Sequence, residues 1–278
     1  SKRPGHSLYQ TITVKRNGKQ RKVHVPNENL MAIQKKISRA LLAELPKHEN
    51  AFGFSGGSII DAIKPHLKGR GSRSIWTCDI KDAFPNMFRE RILGVFKSRF
   101  SDSASQMLTL LTTLPSGHLP QGAPTSPRVF DLCMAVLDRE FSKIAENNKG
   151  IYTRYADNLF FSGKKESFGE IQKEVLAWFQ MAELTAHKIR VKDLRNQTAF
   201  LMLGLNVIGR KIHNTRSFKK ALRLSIHHTN WLLNNGKKDT PGFEKAWQKL
   251  KGQMNFARTD TLSPKLLKDY LELEKQLR

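Results

Sequence analysis

The sequence predicts an α+β fold. Three observations carry this: two β-hairpin signals, a β-prone run ending in the carboxylate of Asp79, and helical apolar periodicities between and after them. Thr11 to Arg16 and Lys19 to Val25 are β-prone runs joined by Asn17-Gly18, a pair that tolerates the positive φ of a tight hairpin turn. Lys15, Arg16, Lys19, Arg21 and Lys22 make this hairpin strongly basic. From Asn27 onward, Leu30, Ile33, Ile37, Leu41 and Leu45 recur at helical spacing until Pro46 ends the run. Gly and Ser cluster from Gly53 to Ser58 and from Gly69 to Ser74, which predicts loops around a short helix near Ile59 to Leu67.

Ser74 to Ile80 reads as a strand, and Pro85 forces a turn shortly after it. Helices are predicted over Arg89 to Phe100 and Ser103 to Leu114, whereas Leu119 to Thr125 is too rich in Pro and Gly to be regular. Ser126 is predicted as the N-cap of a helix with Pro127 in its first turn, and Val129, Cys133, Val136, Leu137, Phe141 and Ile144 form its apolar face. Ile151 to Tyr155 and Leu159 to Ser162 form a second hairpin with Ala156, Asp157 and Asn158 at its tip. Glu166 to Glu183 reads as an amphipathic helix and Ala199 to Ile208 as further β structure around Gly204. Beyond Thr215 the chain reads as wholly helical, with Leu222, Ile226 and Leu233 on one side of the first helix and Arg216, Lys220, Arg223 and His227 on another.

The 278 residues include 48 Lys plus Arg against 24 Asp plus Glu, a formal net charge of +24 that argues against an ordinary neutral metabolic enzyme and for a polyanionic partner. Nucleic acid fits, because backbone phosphates reward many separate Lys and Arg contacts through counterion release. An anionic membrane would want its cations gathered beside an amphipathic helix or apolar anchor, and here they are dispersed, so no membrane partner is expected. The first residues lack the apolar core of a signal peptide and no stretch approaches a membrane span, so the expected location is cytoplasmic. Cys78 and Cys133 form no CxxC pair, which argues against a disulfide framework or a zinc site. The nine His residues show no ligand spacing and are expected mostly at the surface or facing nucleic acid. Trp231 and Trp247 are expected in the core of the C-terminal helices rather than as stacking platforms.

A carboxylate at a strand end, Asp79, and another at a hairpin tip, Asp157, suit a divalent metal that keeps room for water and phosphates. Alone the pair is weak, since Asp in such places is more often turn chemistry. The surrounding residues decide between the two. Asp79-Ile80-Lys81-Asp82-Ala83-Phe84, then Leu119-Pro120-Gln121-Gly122-Ala123-Pro124-Thr125-Ser126-Pro127, then Ile151-Tyr152-Thr153-Arg154-Tyr155-Ala156-Asp157-Asn158, in this order, closely resemble motifs A, B and C of bacterial reverse transcriptases of the retron type.

That resemblance implies a right-hand polymerase with fingers over residues 1–73, a palm over 74–212 carrying a fingers insertion around 88–120, and a small helical thumb over 213–278. It implies RNA-directed DNA synthesis from dNTPs with two Mg²⁺ ions, for which Mn²⁺ substitutes, on a structured noncoding RNA template and the growing RNA-DNA heteroduplex. A retron or phage-defence setting, with an effector or toxin protein as partner, follows from the same likeness. Asp79, Asp157 and Asn158 would be catalytic, with Asp79, Asp157 and the Ile80 carbonyl as metal ligands. Asp82, Ala83, Phe84, Gln121, Gly122 and Tyr155 would line the nucleotide, with Phe84 as the aromatic gate that excludes a 2′-hydroxyl. Arg21 and Lys19 would hold the triphosphate, and Lys188 or Arg190 would be the motif D cation. Arg216, Lys220 and Arg223 would track phosphates.

Two departures stand out. The second motif C aspartate is Asn158, which keeps an oxygen but loses a charge, so metal affinity and rate should fall. It is either a deliberate substitution or a natural variant with altered or lost polymerisation, which leaves open an RNA-binding or assembly role for a silenced fold. Asp61-Ala62-Ile63-Lys64-Pro65-His66 replaces the Asn of the retron NAxxH element by Asp, and Met202-Leu203-Gly204 stands where VTG is expected. These leave open a related defence enzyme with protein-primed or template-independent synthesis.

Overall fold

Why the basic run near the N-terminus pairs with itself is clear from its register: Tyr9–Arg16 (β1) and Lys19–Pro26 (β2) align antiparallel around Gly18, whose φ of +77° is open to glycine. The computed structural model describes residues 7–16, 18–54, 56–68, 74–193, 199–258 and 261–277, so Asn17 lies outside the described residues. The chain divides into two compact units, Ser1–Asp193 and Leu194–Arg278.

In the first unit the Asn27 side chain accepts from Leu30 N–H at 2.9 Å and starts Glu28–Ile37 (α1). The helix predicted to reach Leu45 instead passes into a π-helical turn, Ser38–Leu42. The physical reason is Arg128, whose guanidinium donates to the carbonyls of Leu42 at 3.0 Å, Leu45, and Pro46 at 3.2 Å, satisfying the acceptors that the broken helix end exposes. Ser58 and Asp61 form a capping box at Ile59–Leu67 (α2), as the loop-helix-loop pattern requires.

Ser74–Ile80 (β3), Ile151–Tyr155 (β4), Asn158–Gly163 (β5) and Ala186–Asp193 (β6) make a four-stranded antiparallel sheet in the order β4-β5-β3-β6. The last of these was not predicted; its alternation Lys188-Ile189-Arg190-Val191-Lys192 has period two, but its charge masks it, as suits an exposed edge strand. Arg89–Lys97 (α3), Asp102–Thr112 (α4), Ser126–Asn147 (α5) and Phe168–Met181 (α6) complete the unit. Ser126 is not the N-cap of α5: Thr125 precedes the helix in a helical conformation, and neither hydroxyl makes a capping bond.

Side chains alternate across a strand, and here the alternation sorts structure from chemistry. The register pairs Trp76 with Phe161 and Cys78 with Leu159, and these residues join Tyr152, Phe130, Phe141 and Phe179 in the main core under α5 and α6. The other set, Thr77 with Phe160 and Asp79 with Asn158, faces the opposite side. There α2 contributes His66, which is fully buried, contrary to the expectation of surface histidines. Its Nε2 lies 2.7 Å from the Thr153 hydroxyl, which itself donates to the Ala62 carbonyl at 2.9 Å, so Nε2 carries the proton; Nδ1 then accepts from the Ser162 hydroxyl at 2.8 Å.

The second unit holds an antiparallel meander, Phe200–Met202 (β7), Leu205–Ile208 (β8) and Lys211–Asn214 (β9), turning at Gly204 with φ +85°. Arg216–Asn234 (α7), Pro241–Phe256 (α8) and Pro264–Leu277 (α9) pack around Leu222, Ile226, Leu250, Leu266, Tyr270 and Leu273. Trp247 stacks on Tyr270, as a core residue should. Trp231 does not: it is 47% exposed, with the Lys237 ammonium 4.9 Å from its ring centre. It follows Leu222 by nine positions, about two and a half turns, and therefore points the other way. Both cysteines are free and buried. No helix among the described residues is long and apolar enough to cross a membrane.

Candidate active site on the open face of the sheet

Asp79 sits at the penultimate position of β3 and pairs with Asn158, the first residue of β5. The turn between β4 and β5 therefore brings Asp157 beside Asp79, and the Ile80 N–H donates to the Asp157 carbonyl at 2.8 Å to lock the two strand ends. The Asn158 amide donates to Asp157 Oδ1 at 3.0 Å. Burial pushes the Asp157 carboxyl above the usual carboxylate range; its own backbone N–H opposes this, the Asp79 charge adds to it, and Arg21 and Lys188 draw it down. Lys188, in the irregular part of β6 where the register slips, has φ +50° and reaches Asp79 Oδ2 at 2.6 Å.

The turn is held from beneath. Ala156 has φ +54°, a conformation that an L side chain resists. Arg154, fully buried, donates from Nη1 to the Ala156 carbonyl at 2.9 Å. The same guanidinium grips both oxygens of Asp138 at 2.8 Å and Asp131 Oδ1 at 3.0 Å, all from α5, and lies over the Phe130 ring. Tyr152 donates to Asp138 Oδ1 at 2.7 Å, and its phenol is pushed well above its ordinary value, first by burial and then by the Asp138 charge. From the side, the Arg154 N–H donates to the Asn50 carbonyl and the Arg154 carbonyl accepts from Phe52 N–H, which brings Gly53 against the turn. A Cβ on Gly53 would lie 2.1 Å from the Ala156 nitrogen, so only glycine fits.

The Pro- and Gly-rich segment is bonded to the basic hairpin. His24 N–H on β2 donates to the Gln121 carbonyl at 2.7 Å. Gly122 has φ +117°, and a Cβ there would meet Val23 Cγ1 at 2.5 Å, so its required close approach is to β2. Arg21, two residues before Val23, is exposed. The side chain of Lys19 lies outside the described residues. Phe84 is half-buried, stacked on Phe130 at 5.3 Å between ring centres and edge-on to Phe54 at 5.9 Å. Asp82 is exposed with φ +44°, Ala83 is buried, and Gln121 and Tyr155 are half-buried. In the second unit, Arg216, Lys220, Arg223 and His227 are all exposed on α7, on a different side from Leu222 and Ile226.

Asp79, Asp157, Asn158 and Lys188 are thus brought together, with Arg21 near enough to act on Asp157. Arg154, Asp131, Asp138 and Gly53 were not anticipated. A buried arginine leaves no signal within a strand pattern. The two α5 acids, spaced seven apart on one helix face, do leave one. Among the described residues no group of three or more His, Cys, Asp or Glu could hold a metal. Asp79 and Asp157 are hard oxygen donors, and a divalent cation would offset the burial that chiefly raises Asp157 as well as the Asp79 charge that adds to it; the two carboxylates fit such an ion.

An antiparallel sheet with a strand-end carboxylate beside a hairpin-turn carboxylate, backed by two long helices, defines a right-hand polymerase. The chain belongs to the family described as "Reverse transcriptase (RNA-dependent DNA polymerase)", whose profile matches residues 13–207. Among curated proteins it is 29% identical over 228 residues to the retron Ec86 reverse transcriptase of Escherichia coli, covering 79% of this chain and 69% of that one. It is 33% identical over 242 residues to the retron Mx65 reverse transcriptase of Myxococcus xanthus, covering 79% of this chain, and 28% identical to the Mx162 enzyme of the same organism, covering 90%. The chain spans 55% and 57% of the length of those two relatives. The fold is shared with telomerase from Candida tropicalis bound to a fragment of telomeric RNA, at TM-score 0.54 and 9% identity over 90% of this chain and 53% of that one. It is shared also with the RNA-dependent RNA polymerase of BmCPV, at TM-score 0.52 and 10% identity over 89% and 26% of the two chains.

Proposed function

We propose that this chain is an RNA-directed DNA polymerase that uses dNTPs and two divalent cations, Mg²⁺ or Mn²⁺, on a structured noncoding RNA, in a retron or phage-defence system. The observation that carries the proposal is the placing of Asp79 beside Asp157 within electrostatic reach of Arg21, on the basic hairpin to which the Gln121 segment is bonded. Asp79, Asp157 and the Ile80 carbonyl would hold the cations, which, when bound, activate the primer hydroxyl and stabilise the leaving pyrophosphate.

The chain's own groups do the rest. Phe84, wedged by Phe54 and Phe130, presents a fixed aromatic edge to the sugar and excludes a 2′-hydroxyl. Gln121, Gly122, Asp82, Ala83 and Tyr155 line the nucleotide. Arg21 and Lys19 on β2 orient the triphosphate. Lys188, already bonded to Asp79, is better placed as the motif D cation than Arg190, which pairs with Thr77 farther along β3. Fingers lie in the β1–β2 hairpin, α1 and the segment around 88–120, the palm on the four-stranded sheet, and the thumb on α7–α9, where Arg216, Lys220 and Arg223 follow the heteroduplex by its phosphates.

Asn158 favours a second reading, a weakened polymerase that serves mainly to hold RNA. Its amide donates to Asp157, a bond that an aspartate would replace with repulsion until a cation arrived. Primer extension with and without RNA template, followed by product sequencing, separates the readings. Asn158→Asp is expected to raise templated extension in Mg²⁺ by at least about tenfold, equivalent to about 1.4 kcal/mol of barrier. No gain, with Asp79→Ala also silent, would leave the RNA-holding reading; product without template would favour template-independent synthesis.

A further inference from the structure

The side of the sheet away from Asp79 carries a groove outside the proposed polymerase site. It has a volume of about 570 Å³ and runs between α3, α5 and α6, the layer that covers the Trp76 and Phe161 face. Its walls are apolar: Val136 is 57% and Met181 74% exposed, and Trp178 lies half-buried between them and the core. Gly94 opens it further. This glycine sits inside α3 with an ordinary helical φ, and a Cβ there would meet nothing within 4 Å, so neither a turn nor packing requires the costly residue.

The rim is cationic. Arg91, Arg99 and Arg139 line the groove, no Asp or Glu lines it, and no ion pair to these three is recorded among the described residues. Arg91 is fixed by donating to the Ala182 carbonyl and Arg99 by donating to the Val95 carbonyl at 2.9 Å, so both guanidinia are held in place with donors to spare. Burial pushes the Cys133 thiol in the floor up to about 12, against the pull of Arg91 and Arg99, so it is an inert apolar surface.

We propose that this groove docks an amphipathic helix of a partner protein, apolar on one face and acidic on its flanks. An aliphatic and indole floor between helical ridges suits the i, i+3, i+4, i+7 side chains of such a helix, and the three arginines select carboxylates beside them. RNA is less well served: its phosphates want a run of cations, and exposed Val136 and Met181 offer its bases no flat stacking platform. Because the alternation of β3 and β5 puts Asp79 and Asn158 on the other side, a docked helix leaves the polymerase site free. The inference holds whether or not the chain polymerises.

The test is a selection of phage-displayed amphipathic helical peptides against the full chain, with counter-selection on the Val136→Glu/Met181→Glu variant. Selected peptides are expected to carry Leu, Met or Phe at helical spacing flanked by Glu or Asp, with dissociation constants on the order of micromolar by fluorescence polarisation. Arg99→Glu/Arg139→Glu should weaken them at least about tenfold. Gly94→Leu, which favours the helix while filling the groove, should abolish binding with the melting temperature unchanged or raised. Selection that returns no acidic pattern, or peptides that ignore these substitutions, overturns the proposal. So does a groove variant that weakens oligouridylate binding, which would assign the face to RNA, or one that converts a dimer to a monomer in light scattering, which would assign it to a second copy.

Discussion

The two faces of the four-stranded sheet treat charge in opposite ways, although one hairpin serves both. On the covered face Arg154 is fully buried and fully compensated, with two carboxylates and a carbonyl on its guanidinium. Three residues later, on the open face, Asp157 sits beside Asp79 with its proton affinity raised by burial. A buried ion network with four of the five guanidinium donors bonded is rigid, and breaking it is expensive; a half-buried carboxylate pair is uncomfortable and ready to take a cation. The difference teaches how the strained Ala156 turn persists: the covered face holds it in place so that the open face can present charge.

The largest effect is therefore expected on the covered face. Arg154→Met strands Asp138 and Asp131 in the core and should cost about 3–5 kcal/mol in chemical denaturation. A loss below about 1 kcal/mol would mean that the covered face does not anchor the turn. Next comes the side wall. Gly53→Ala drives a Cβ into the Ala156 backbone and should cost about 1–3 kcal/mol and weaken Mn²⁺ binding measured by electron paramagnetic resonance. Gly94→Ala, in open space on α3, is its control and should gain about 0.5–1 kcal/mol. Equal effects of the two would show that the tight contact at Gly53 does not matter.

What the sequence reveals follows the same division. The open face is legible because Asp79, Gln121, Gly122 and Asp157 stand, in that order, in segments that resemble the motifs of the reverse transcriptase family. The hairpins and most helices are legible from periodicity and turn residues. The covered face is not, because whether Arg154 is buried depends on Asp131 and Asp138 arriving from another element. The π-helical turn after Ile37 has the same kind of cause, Arg128 reaching across from α5 to bond its carbonyls. His66 is an exception to the expectation that most histidines lie at the surface, since only the fold supplies Thr153 and Ser162 as its partners. Trp231 shows the converse: its position on the helical wheel already places it opposite Leu222, and its bulk alone suggested the core.

The smallest effect concerns the charge left uncompensated on the open face. Because the Asp157 carboxyl is raised on folding, the folded chain binds that proton more tightly than the unfolded chain does. The resulting stabilisation is fully present below the unfolded value, near 3.8, and is lost as pH rises through the folded value, above which the buried charge is a cost. Asp157→Asn has no such charge, so without divalent ions it should be more stable than the parent at neutral pH, chiefly because a neutral side chain escapes the cost of burying a charge and secondly because Asp79 loses a like charge beside it. That advantage should shrink as pH falls toward the ordinary aspartate range. Adding Mg²⁺ should reverse the order, because the cation stabilises only the chain that keeps both carboxylates. Thermal melts of the two proteins across pH, with EDTA and with Mg²⁺, check both signs. A parent that is the more stable at neutral pH in EDTA would mean that Lys188 and Arg21 already neutralise the pair, and that the open face is no less compensated than the covered one.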